Sequence, residues 1–352
     1  MKINQRLFDH YGIDTNKDLK IEKKCPRPFD TILIDKQGSC YACECQSWLP
    51  QSIGNLQIQS LKQIIAGEDR EHVQSSISDG TYRYCNESQC SYLKQGHNFN
   101  WQKDRALQLR LAIDDSCNLR CPSCRKNMIF HKDGKEFRLG LKLANRVNRW
   151  LETQDDTVQV HVGSDGDPFA SHIYRHFMEG TPRKENIKYS LLTNALMFND
   201  FHGRIPHVID NLLELGVSMD GASRETYEKL RLGGKWVKIN DNLARICALR
   251  QKHGFTFSLH FVVQKENYHE MEDIIHLGER YGVDRIWLNN IEDWNVIKDW
   301  ARQDIFDPRH PEHSRFIGHL EKIKPYINRS KKIVPIVEAT KLYRANKWVA
   351  LS

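Results

Sequence analysis

The chain has 352 residues, 39% of them hydrophobic, with a net charge of +7 and ten cysteines. That length suits one large domain, or a medium domain and a small one; no apolar run approaches the roughly 18 residues of a membrane span, and "MKINQRLFDHYGIDTNK" lacks the apolar stretch of a secretory signal. The expected setting is the cytoplasm, where cysteines serve metal binding or catalysis rather than disulfides, and the dispersed basic residues read as a solvated surface, with an anionic cofactor or substrate as the other use and no aromatic-interleaved basic stretch to signal nucleic acid.

Six cysteines come first: Cys25, Cys40, Cys43, Cys45, Cys85 and Cys90. After about residue 105 strand-like and helix-like patterns alternate. "LQLRLAI" alternates like a strand and leads into "CNLRCPSC" at 117–124. "LKLANRVNRWL" places Leu143, Val147, Trp150 and Leu151 at helical spacing. "TVQVHVG" reads as a strand, and "SHIYRHFMEG" as a helix ending at glycine. "IKYSLLTN" and "LGVSMD" are further strands, and the serine of "SRETYEKL" is placed to cap a helix. A longer helix covers about 238 to 252, with Ile239, Leu243, Ile246 and Cys247 on its apolar face, so Cys247 is expected in the core. "FTFSLHFVV" is a strand, "NYHEMEDIIHLGERYG" a helix stopped by Gly282, and "DRIWLNNI" the sixth strand. Such alternation implies parallel strands with crossover helices. The fold class is α/β, and six units point to a partial (β/α)6 barrel.

Ligands of parallel α/β folds bind at the carboxyl ends of the strands. The polar breaks fall there: "DDSCNLRCPSC", "GSDGDPFAS", "TNA" and "SMDGAS". Three cysteines stand within eight positions, although zinc and most iron–sulfur sites take four protein ligands. Either a distant histidine closes a structural zinc, or the metal keeps the open position that catalysis needs.

Cys-x3-Cys-x2-Cys after a first strand, with "NL" following the first cysteine, resembles the signature of radical S-adenosylmethionine (radical SAM) enzymes. The resemblance covers roughly residues 105 to 300. It implies that Cys117, Cys121 and Cys124 hold a 4Fe–4S cluster whose fourth iron is chelated by S-adenosylmethionine. "GDP" (Gly166, Asp167, Pro168) is similar to the family's Gly-Glu-Pro-like turn at the methionine amino end, with aspartate in place of glutamate. "TNA" (Thr193, Asn194, Ala195) is similar to Thr-Asn-Gly, with Ala195 in the glycine position. Ser218 and Asp220 match Ser-x-Asp, and Arg231 matches an arginine that pairs with the cofactor carboxylate. Ser123 stands where the family often has an aromatic near the adenine, which leaves Val262 and Val263 as candidates for that contact.

The first six cysteines are similar to the auxiliary-cluster domains called SPASM and twitch, which in the family follow the radical domain rather than precede it. The resemblance implies Cys25, Cys43, Cys85 and Cys90 as ligands of one auxiliary 4Fe–4S cluster, with Cys40 and Cys45 able to exchange roles with Cys43 and a four-cysteine zinc as the other occupant. The expected organisation is an N-terminal extension (1–24), an auxiliary-cluster domain (25–100), a radical SAM core (101–300) and a C-terminal extension (301–352) that forms a lid or packs on the barrel.

The implied reaction is reductive cleavage of S-adenosylmethionine to a 5′-deoxyadenosyl radical that abstracts a substrate hydrogen. The implied substrate is a ribosomally synthesised peptide; with no N-terminal winged-helix segment for leader capture, a separate leader-peptide-binding protein is expected, and a flavodoxin or ferredoxin as electron donor. The alternatives are a radical dehydrogenase of a small alcohol or sugar and, from another class, a non-catalytic iron–sulfur or zinc nucleic-acid-binding protein, against which the Gly-Asp-Pro, Thr-Asn and Arg231 motifs argue. His172 and His176, at i and i+4, and His310 and His313 are expected to be structural rather than metal ligands.

Overall fold

The computed structural model describes residues 8–9, 12–21, 25–90, 93, 105–293, 296–329 and 333–335. The expected boundary at 100/101, half of the 1–24 extension and the tail beyond 335 lie outside the described residues. The chain divides into two compact units, one of residues 1–115 and 131–190 and the other of 116–130 and 191–352.

The first unit starts from an apolar, β-branched run. "TILI" lies between a short helix, α1 (Arg27–Asp30), and an Asp-Gly turn, and forms strand β1 (Thr31–Asp35), four of whose five residues are buried. Asp35 Oδ1 accepts the amides of Gln37 (2.9 Å) and Ser39 (2.8 Å), which closes the turn. β2 (Ser39–Tyr41) then returns antiparallel to β1 and pairs with β3 (Ser52–Asn55). Helices α2 (Leu61–Ile65), with a Ser60/Gln63 capping box, and α3 (Glu68–Ser78) follow. β1 also runs parallel to β4 (Leu107–Ala112), and β4 runs parallel to β5 (Val158–Val162). The cysteine-rich segment thus extends the same sheet, in the order β5-β4-β1-β2-β3. α4 (Gly134–Glu152) begins seven residues before the expected "LKLANRVNRWL", and α5 (His172–Glu179) is capped by Ser171, whose Oγ accepts the Tyr174 amide at 2.9 Å.

β6 (Ile187–Thr193) gives its last three residues to the second unit. There β7 (Leu212–Ser218), β8 (Thr256–Val263), β9 (Arg285–Asn290) and β10 (Ile333–Pro335) pair in that order, all parallel. α6 (Arg224–Leu230) and α7 (Trp236–His253) follow β7, α8 (Met271–Arg280) follows β8, and α9 (His313–Arg329) follows β9. Tyr268–Glu270, read as the first turn of α8, is a 3-10 turn. Gly282 adopts φ +60 just past α8, the left-handed stop its position calls for. In chain order β4 to β9 are the six strand–helix units of a partial TIM-like barrel, and the fold is α/β with a mostly parallel sheet. Among the described residues no helix is long and apolar enough to cross a membrane.

The turn between β7 and α6 is held by one buried carboxylate. Glu270 Oε2 accepts the amides of Ala222 (2.6 Å) and Ser223 (3.3 Å), while Oε1 accepts the hydroxyls of Ser223 and Thr226, each at 2.6 Å. Gly221 allows this closeness, since a Cβ there would lie 2.3 Å from the Tyr227 nitrogen. Removing the carboxylate strands several buried donors, at about 1–3 kcal/mol each before relaxation. Glu270→Ala should therefore lower unfolding free energy by roughly 2–3 kcal/mol in urea titrations; a loss under about 0.5 kcal/mol would contradict this account.

Candidate active site

The three-cysteine loop belongs to the second unit. Its ends are tied by the Cys117 amide donating to Ile129 O at 2.8 Å, and its middle by the Arg120 amide donating to Leu232 O at 3.0 Å. The amides of Cys124 and Arg125 both donate to Cys121 O at 3.0 Å, a tight turn that separates the last two cysteines. Leu119 and Cys121 are buried, Cys117 is half-buried and Cys124 is exposed.

Two of the sulfurs face nitrogen donors. Asn194 Nδ2 lies 3.6 Å from Cys117 Sγ and donates to Asn118 Oδ1 at 2.8 Å, while its Oδ1 accepts the Leu196 amide at 3.0 Å. Both ends of the Asn194 amide are thereby fixed, and its N–H edge is aimed at the cysteine loop. Ala195 beside it takes φ +58. That conformation is natural to glycine, and the alanine bears the strain. Arg231, the C-cap of α6, lies with Nη1 3.8 Å from Cys121 Sγ and Nε 2.8 Å from Asp220 Oδ2, the latter an ion pair rather than an aligned hydrogen bond. Burial works against the guanidinium charge, but Asp220 and Cys121 outweigh it and raise the Arg231 pKa. Burial in turn pushes the Cys121 thiol up, against the pull of Arg231. Asp220 is itself fixed by the Val262 amide, which donates to its Oδ1 at 2.9 Å. Val263 is buried core, whereas Val262 and Ser218 lie half-buried on β8 and β7.

The Gly-Asp-Pro turn belongs to the first unit. Asp167 is buried, and its Oδ1 accepts the amides of Phe169 and Ala170, each at 3.0 Å. This carboxylate oxygen shapes its own turn. Ser171, which caps α5, donates to Asp114 Oδ2 at the end of β4. Asp115 pairs with Lys36 and with His131 Nε2, both at 2.7 Å.

The cysteines of the N-terminal segment separate cleanly. Cys25, Cys43, Cys85 and Cys90 line one small cavity, walled by Trp48 and Tyr82 among others. Tyr82 OH accepts the Cys25 amide at 2.9 Å, the Cys85 amide donates to Tyr82 O at 2.9 Å, and the Cys90 amide donates to Asn86 O at 2.8 Å. Burial pushes the Cys25 thiol up to about 12 and the Cys43 and Cys85 thiols well above the usual thiol range. Cys40 lies apart on β2 with its sulfur toward Gly38 O (3.7 Å), and Cys45 faces Ser47 Oγ (3.1 Å).

A set of four thiols suits zinc or an iron–sulfur cluster. One tetrahedral zinc, at about 2.3 Å from each sulfur, brings sulfurs within roughly 4 Å of one another. Among the described residues, only Asp114, Asp115 and His131 gather three ligand atoms within 4.8 Å of one another. The histidine pairs lie elsewhere: His176 Nε2 meets Asn145 Oδ1 at 2.8 Å, and His310 and His313 meet backbone oxygens of Arg302 and Ile305.

Residues 113–278 match the family described as the Radical SAM superfamily. They form a radical SAM domain. Such a domain implies a 4Fe–4S cluster and S-adenosylmethionine. The chain is 22% identical over 178 residues to a GTP 3′,8-cyclase of a Synechocystis strain, covering 50% of this chain and 52% of that protein. It is 24% identical over 197 residues to a tungsten-containing aldehyde ferredoxin oxidoreductase cofactor-modifying protein of Pyrococcus furiosus, covering 52% and 51%. The chain thus spans about half the length of these curated relatives. Among solved structures it resembles Streptococcus suis SuiB bound to the precursor peptide SuiA, at 14% identity and a TM-score of 0.47, over 81% of this chain and 58% of that one.

Two thiol groups predict two separable metal contents. The anaerobically reconstituted protein should hold about eight irons per chain, and the triple alanine variant of Cys117, Cys121 and Cys124 about four. Stoichiometric zinc with no iron in that variant would make the four-cysteine site a structural zinc site.

Proposed function

We propose that the chain is a radical SAM enzyme that abstracts a hydrogen from a ribosomally synthesised peptide. The observation that carries the enzyme class is the three-thiol loop at the end of β4, inside the matched residues, with Asn194 and Arg231 directed at two of its sulfurs. Cys117, Cys121 and Cys124 would hold a 4Fe–4S cluster. When bound, that cluster supplies the electron for reductive cleavage of S-adenosylmethionine to methionine and the 5′-deoxyadenosyl radical.

The chain's own residues bind, orient and exclude water. Arg231, held by Asp220, places a positive charge beside Cys121 and favours the thiolate. Asn194 fixes Cys117 against Asn118. Thr193 and Ser218 stand at the carboxyl ends of β6 and β7 in the second unit, where they would contact S-adenosylmethionine. Cys25, Cys43, Cys85 and Cys90 would hold an auxiliary 4Fe–4S cluster within an auxiliary region of residues 25–100, ahead of a core of 101–300. That region's SPASM/twitch-like cysteine pattern is what supports a peptide substrate. A leader-peptide-binding protein and a flavodoxin or ferredoxin complete the proposed system, in the cytoplasm.

Anaerobically reconstituted, reduced protein should convert S-adenosylmethionine to 5′-deoxyadenosine, measured by chromatography, and Cys121→Ala should fall to background. Full cleavage by that variant would remove the loop from catalysis.

A further inference from the structure

Two of the three sulfurs of the cysteine loop are faced by side chains that other contacts hold in place. Asn194 is buried, and its Nδ2 lies 3.6 Å from Cys117 Sγ, within hydrogen-bond reach of sulfur. Three further bonds fix its turn. The Leu196 amide donates to Asn194 Oδ1 at 3.0 Å, the Ala195 amide to Thr193 Oγ1 at 2.9 Å, and Asn242 Nδ2, on α7, to Ala195 O at 2.6 Å. Ala195 keeps φ +58, a conformation that strains an alanine and persists only where its surroundings impose it. What the strained turn achieves is the direction of the Asn194 N–H edge.

Arg231 makes the second contact, with Nη1 3.8 Å from the sulfur of the buried Cys121. Asp220, 2.8 Å from Arg231 Nε, opposes its charge, yet at Cys121 the effect of Arg231 is the larger of the two. The third cysteine, Cys124, is exposed. Reducing an iron–sulfur cluster adds negative charge that spreads onto its thiolate sulfurs, and hydrogen bonds to those sulfurs are among the factors that set its potential. An N–H donor and a cation stabilise the reduced form more than the oxidised one, most strongly where water is excluded. Because Asn194 and Arg231 are already fixed, neither has to reorganise when the electron arrives.

We propose that Asn194 and Arg231 raise the reduction potential of the cluster on Cys117, Cys121 and Cys124, which makes that cluster easier to charge and a milder reductant. This deepens the proposed function and rests on its cluster assignment. The test is a potentiometric titration of the anaerobically reconstituted full chain without S-adenosylmethionine, followed by electron paramagnetic resonance, so it reads no turnover. The signal followed is the one that changes when S-adenosylmethionine is added to a separate sample. Arg231→Gln should lower its midpoint by at least about 59 mV, a tenfold change in the ratio of reduced to oxidised cluster, and Asn194→Leu by about 28 mV, roughly threefold. Arg231→Lys keeps the charge, and its midpoint should lie nearer the unmodified protein than Arg231→Gln does. Lys238→Gln removes an exposed cation of the same unit and should change the ratio by less than about twofold. Iron content per chain checks that each variant carries the cluster; if Arg231→Gln loses it, the Asn194→Leu midpoint decides. Midpoints of Arg231→Gln and Asn194→Leu that are unchanged or raised, or an equal fall in Lys238→Gln, would overturn the proposal. An unmodified protein with no signal responsive to S-adenosylmethionine would refute the cluster assignment itself, and the proposal with it.

Discussion

The structure turns on burying sulfur. A thiol must lose its proton to ligate a metal, yet burial opposes the thiolate, as at Cys25, Cys43, Cys85 and Cys121. Positive charge must therefore reach the sulfurs, and both thiol groups have some of it built in. In the three-cysteine loop it is Arg231 beside Cys121. In the four-cysteine cavity Arg27, in its wall, favours the Cys25 thiolate and Lys17 that of Cys85, against the burial that raises both thiols.

The Arg231 charge depends on a chain of support within the second unit. Asp220 pairs with it, the Val262 amide fixes Asp220, and Glu270 fastens the turn between β7 and α6, whose far end is Arg231. A buried arginine without Asp220 would be an unpaired charge, costly enough to displace it from the loop. A glutamate on the far side of β8 thus sets the geometry of a sulfur contact it does not touch.

Much of this was legible in the sequence. The strand–helix alternation from 105 onward follows from apolar periodicity, but element ends moved, as where α4 starts at Gly134 or β7 at Leu212, the short helices Phe198–Phe201 and Pro206–Asp210 and the strand Ile333–Pro335 gave no readable pattern, and Cys247 is half-buried rather than in the core. Cys25, Cys43, Cys85 and Cys90 share one cavity, while Cys40 and Cys45 turn to local partners. Other features depend on contacts that one-dimensional spacing does not carry. β1 pairs with β4 across more than 70 residues, although the bounded run "TILI" was a usable signal. Glu270 looks like any surface carboxylate until the fold brings Ser223 and Thr226 to it.

The most direct test of the central claim, that the loop of Cys117, Cys121 and Cys124 holds a cluster open to S-adenosylmethionine while the four-cysteine site is closed, is electron paramagnetic resonance of the dithionite-reduced protein with and without that cofactor. Two signals are predicted, and only the one lost in the triple alanine variant should change shape on adding S-adenosylmethionine. A spectrum that does not respond to the cofactor, or a response that survives in the triple variant, would contradict the account.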